Sequence, residues 1–93
     1  MGVSPAIPST GQMNVFQVAF GVLWHKWTQG GGSPWGNESV TGVAGVDVTF
    51  PDQVPQVVVA GGQIIVTVED FNASVWYFAQ DEGTAGWGVA ELP

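Results

Sequence analysis

Residues 21 to 36, GVLWHKWTQGGGSPWG, bring Trp24, Trp27 and Trp35 together with His25 and Lys26, the only histidine and the only basic residue of the chain. Indole faces stack on flat C–H surfaces, and an imidazole tip offers hydrogen bonds to hydroxyls. A second stretch, residues 73 to 88, reads ASVWYFAQDEGTAGWG, with Trp76 and Trp87 each fifty-two positions after Trp24 and Trp35 and with Tyr77 in the histidine's place. A spacing kept at two tryptophans at once argues for an internal repeat. A pyranose, with one C–H face and a rim of hydroxyls, is the ligand such residues suit, so the candidate carbohydrate-binding residues are Trp24, His25, Trp27, Trp35, Trp76, Tyr77 and Trp87. The competing reading is packing, because an aromatic recurring once per unit also makes a core. His25 and Tyr77 alternate to the opposite face from Trp24 and Trp76. Trp27 has Ala79 as its counterpart, so it either fills a local gap or makes one groove unlike the other.

Other chemistries find little support. The chain has no cysteine and a single histidine, and no calcium-loop pattern occurs, so neither metal nor cofactor is expected. A glycosidase needs two facing carboxylates, and His25 as a base needs an acidic partner that its sequence neighbours do not supply. GGGSP lacks the helix and lysine of a phosphate loop, and no nucleophile-elbow or zincin motif is present, so the chain reads as a non-enzyme. A net charge of −7 is the wrong sign for nucleic acid or anionic lipid. No apolar run is long enough for membrane insertion, and MGVSPAIPSTGQMN has no secretory pattern, so cytoplasmic synthesis with any release by a non-classical route is expected. Glu69 and Asp70 read as solvated turn carboxylates, Lys26 as a lone exposed charge, and the triplets Asn37-Glu38-Ser39 and Asn72-Ala73-Ser74 as loop residues.

The elements that must position the aromatics are strands, because no window keeps apolar residues at helical spacing without a glycine or proline. Residues 56–60, 63–69 and 74–80 are short β-branched and aromatic runs separated by turn residues. The first half follows the same scheme at residues 5–9, 12–20, 22–29 and 35–40. Superposing the halves sets Pro5 over Pro55, Val15 over Val66, Phe20 over Phe71, Trp24-His25 over Trp76-Tyr77, and Trp35-Gly36 over Trp87-Gly88, with insertions at Gly62 and Asn72. The chain is thus expected to be one domain of two units, approximately 1–45 and 46–93.

A four-strand unit of this length has the period of a β-propeller blade. The second strands are apolar at both parities, as suits a sheet covered on both faces. Two blades do not close a ring, and a chain of 93 residues buries only about two-thirds of its unfolded surface. Oligomerisation is therefore expected, giving six blades as a homotrimer or eight as a tetramer, with AELP running into a neighbour's MGVSPAIP.

VLWHKW, preceded by VFQVAF and followed by Trp35-Gly36, resembles the blade repeat of the PLL-type (Photorhabdus-type) propeller lectins, and VTVEDFNASVWYFAQ with GWGVAELP resembles it more loosely. The two-blade length is similar to that of the Ralstonia-type trimeric fucose lectins. These resemblances imply a propeller with sugar sites in grooves between blades and a neutral mono- or oligosaccharide ligand, fucose-like or galactose-like. The arginine of the fucose lectins' clamp has no counterpart here, since the chain contains no arginine. The alternatives are a structural propeller scaffold, natural, designed or ancestral in type, that binds no ligand, and, as a fold, a small β-sandwich.

Overall fold

The computed structural model describes residues 2–6, 12–30, 33–81 and 84–92. Strands β1 (Val3–Ala6), β2 (Met13–Ala19), β3 (Val22–Thr28) and β4 (Gly36–Ser39) form an antiparallel sheet in sequence order. After helix α1 (Val40–Ala44), strands β5 (Gln56–Ala60), β6 (Gln63–Glu69), β7 (Val75–Asp81) and β8 (Gly88–Glu91) form a second sheet in the same order. The all-β expectation holds, and each half of the chain builds one four-stranded antiparallel meander.

Turn chemistry sets the registers. Gly61 and Gly62, with φ of 58° and 75°, make the two-residue turn that leaves Ala60 opposite Gln63. Phe20 and Gly21, at 53° and 79°, do the same between Ala19 and Val22, which forces a phenylalanine into a left-handed conformation. The longer β6–β7 turn is ordered by Asp70, whose carboxylate accepts from the backbone N–H of Asn72 and Ser74 and from the Trp76 indole. Asp70 is therefore a turn organiser and not merely a solvated charge.

Three expectations are corrected. The first strand lies at Val3–Ala6, while residues 7–11 fall outside the described residues. Pro5 stands opposite Val15 and Val57 opposite Val66, so the counterpart of Pro5 is Val57, two positions beyond Pro55. The triplet Asn37-Glu38-Ser39 lies in β4 rather than in a loop. Helix α1 is also additional: Ser39 caps it by accepting from the Gly42 N–H, and Gly45 ends it at φ 76°. Five residues are too few to show a helical period.

The core lies between the sheets. Phe16 and Val18 of β2 and Leu23 of β3 are fully buried against Ile64, Val66, Val68 and Phe78 of the second sheet. Each such side chain contributes roughly 1.5–3 kcal/mol on burial. The connecting segment seals one end, with Phe50 edge-on to Phe78 at 6.4 Å and its N–H donating to the Gly21 carbonyl. The Gln53 side chain exchanges two hydrogen bonds with the backbone of Glu69 in the manner of a strand neighbour.

The register also fixes how the sheets meet. Phe16 pairs with His25, and Thr67 pairs with Tyr77, so His25 and Tyr77 are counterparts. The covered face of the first sheet, with Phe16, Val18, Leu23 and His25, thus corresponds to the outer face of the second, with Thr67, Glu69, Val75 and Tyr77. The covered face of the second sheet, with Val66, Val68, Trp76 and Phe78, corresponds to the outer face of the first, with Val15, Gln17, Trp24 and Lys26. The sheets therefore stack front to back, β1 beside β5, with Trp87, just before β8, reaching Glu38 of β4.

Candidate functional site

Three of the seven candidate residues converge in the groove between the sheets. His25 is the centre, only 2% exposed, with its ring stacked on Phe16 at 4.7 Å on one side and on Trp27 at 4.8 Å on the other. Trp87 comes from the second unit and stands edge-on to both His25 and Phe16 at 5.6 Å. Strand alternation makes this possible, because His25 and Trp27 share the covered face of β3 and Phe16 lies directly across from His25.

The polar side of the cluster rests on Glu38 and Asn14. Glu38 faces His25 across the β3–β4 pair, and its Oε2 lies 2.6 Å from His25 Nδ1 and accepts from the Trp87 indole N–H at 3.1 Å. His25 Nε2 lies 2.7 Å from Asn14 Oδ1, which also accepts from the Gln12 amide. Burial lowers the proton affinity of His25 below its ordinary value, while the hydrogen bond and the negative charge of Glu38 pull it back up. No buried side-chain polar atom lacks a partner among the described residues. The enclosed imidazole has a polar partner at each ring nitrogen, links the two units through Glu38 and Trp87, and offers its tips to nothing else.

Glu38 corrects the expectation that His25 lacks an acidic partner. The partner is thirteen residues away in sequence and directly opposite in the sheet. Once Gly36 pairs with Trp27, counting back along β3 and forward along β4 sets His25 against Glu38. Gly36 is itself required, because a Cβ there would run into the Trp27 indole.

The other four candidates lie apart. Trp24 is half-buried on the outer face of the first sheet, where it lines an open groove of about 410 Å³ with Gln17, Phe20 and Lys26. Its indole N–H reaches the Ala19 carbonyl at 3.4 Å, just as that of Trp76 reaches Asp70 at 3.0 Å from the matching position. Trp76 packs against the core. Tyr77 is half-buried on the outer face of the second sheet, and Trp35 is 56% exposed. Trp35 and its counterpart Trp87, at 7%, thus occupy opposite environments although each opens a Trp-Gly pair at the same place in its unit.

The second unit repeats the site's frame without its contents. Tyr77 stands for His25, Ala79 for Trp27, Ala90 for Glu38 and Gly88 for Gly36. A Cβ at Gly88 would meet nothing nearer than the Ala79 carbonyl at 3.7 Å. Compared with protein-family models, curated proteins and solved structures, the chain matches none.

Proposed function

We infer that the chain is a two-blade segment of a β-propeller completed by further copies of itself, most simply three, and that the ring is a lectin for neutral carbohydrate. One observation carries the reading: the sheets stack front to back, so that each outer face is the counterpart of a face already covered. A second copy can therefore repeat, between chains, the contact made within one, and repetition with rotation closes a ring without free faces. Half-buried Trp24 and Tyr77, and exposed Trp35 and Val58, lie on or beside the faces this would cover. Charge agrees, since Lys26, the only basic residue, stands on one outer face and Glu69 on the other.

The carbohydrate part rests on tryptophan faces beside neutral donors in a chain almost without cations, and on the resemblance to propeller lectins. Single shallow sugar sites bind weakly, and several on one ring multiply affinity for glycan-coated surfaces. The scaffold alternative draws support from the groove within the chain, where His25, Trp27 and Trp87 are packing residues. A glycan array probed with the labelled protein separates the two readings. Binding to a defined set of neutral glycans supports the lectin, and an array without signal leaves only the scaffold.

A further inference from the structure

We propose that the ligand pocket lies only at the joint between chains and that each pocket needs two copies, one supplying Trp35 and the other Tyr77. The inference rests on the ring reading and adds where the sites are and how many there are. Its basis is the difference between two grooves built on one frame. Within the chain, Trp27 covers Gly36 and Glu38 holds His25 and Trp87, so the groove is filled by the protein's own side chains. At the exposed end of the second sheet the same positions carry Ala79, Gly88 and Ala90, which leave that space open.

A second copy docking by the same front-to-back contact brings Trp35 to this place, because Trp35 is to the second copy what Trp87 is to the first. Trp87 stands edge-on to His25; Trp35 would stand beside Tyr77, with Thr67 in place of Phe16. The pocket then has an indole wall, a floor of Gly88 and Ala79, and the Tyr77 hydroxyl and the Thr67 side chain as neutral hydrogen-bonding groups. Its free space is what the indole of Trp27 and the carboxylate of Glu38 fill in the internal groove, where this unit carries Ala79 and Ala90. A neutral pyranose fits that chemistry, its C–H face on Trp35 and its hydroxyls toward Tyr77 and open backbone groups. The exposure of Trp35 in the single chain follows, since its covering surface belongs to another copy.

Native mass spectrometry of the whole chain, titrated with L-fucose and with methyl β-galactoside, tests this. The expected result is an assembly that binds one sugar per chain. Ala79→Trp, which sets an indole over Gly88 as Trp27 sits over Gly36, should keep the assembly and weaken binding at least tenfold. Trp35→Ala should also weaken binding at least tenfold at unchanged mass, and Trp27→Ala should leave the joint site's affinity unchanged. Two sugars per chain, undiminished binding in Ala79→Trp, or an assembly that binds neither sugar would overturn the joint pocket while the ring stands. A single chain at every concentration would overturn the ring and the pocket with it.

Discussion

The two units carry the same strand frame and opposite contents. Around Gly36 the first unit packs an indole, an imidazole and a carboxylate; around Gly88 the second leaves two alanines and a tyrosine. The first groove is closed by the second unit's Trp87, and the matching Trp35 stands exposed. A repeat kept for its backbone can spend one copy of a site on cohesion and leave the other free, and what separates the two is side-chain volume at three or four positions.

The comparison can be broken at its strongest point first. Phe16→Ala removes a fully buried ring from the covered groove and should cost about 3–5 kcal/mol, a large part of the stability of so small a domain, read from the midpoint of chemical denaturation. Thr67→Ala, at the matching position of the open face, should change the stability of the single chain by less than about 1 kcal/mol.

The glycine pair sharpens the contrast with the smallest possible change. Gly36→Ala drives a methyl into the Trp27 indole and should destabilise by about 1–3 kcal/mol, whereas Gly88→Ala meets no side chain and should be close to neutral in thermal unfolding. Equal effects at the two sites would show that the grooves do not differ as described.

Glu38→Gln keeps the shape of the cluster and removes its charge, and should cost about 1–3 kcal/mol through the bonds to His25 and Trp87. The pH dependence has a definite sign. Because burial depresses the folded-state affinity of His25 for a proton, the unfolded chain takes up that proton first; stability should be level above pH 6.5, the ordinary histidine value, and fall as the pH drops below it. Glu38→Gln withdraws the countercharge and should make that fall steeper, as followed by denaturation midpoints across the range.

The smallest effect belongs to the turn. Hydrogen bonds from Trp76 first, and from the Asn72 and Ser74 backbones, hold the Asp70 carboxyl below its ordinary value, so the stability it adds is present above pH 3.8 and lost as the pH falls further. Asp70→Asn should remove that acid-side slope and leave the neutral-pH fold intact.

Much of this frame was legible in the residues. Strand runs, the Gly61-Gly62 turn and the paired tryptophans gave β2 to β7 to within a residue, because period-two patterns and turn chemistry are local, whereas the first strand begins two residues earlier than expected. What escaped depended on register between distant segments. Glu38 looks like one acid among eight until the β3–β4 pairing places it against His25, and Pro5 matches Pro55 by identity although the strand pairs it with Val57's place. Trp35 and Trp87 read alike because a sequence records neighbours along the chain and not which face is covered. The absent twin of Trp27 was the visible sign that the grooves differ, and its meaning appeared only once Gly36 was seen beneath the indole.

The most direct test of the account is the mass of the chain in solution, by sedimentation equilibrium at micromolar concentration and neutral pH. The front-to-back stacking predicts a closed assembly at a whole multiple of 9.7 kDa, three chains in the simplest case, which does not grow as concentration rises. A species of one chain across the range, or an open-ended series that lengthens with concentration, would contradict it.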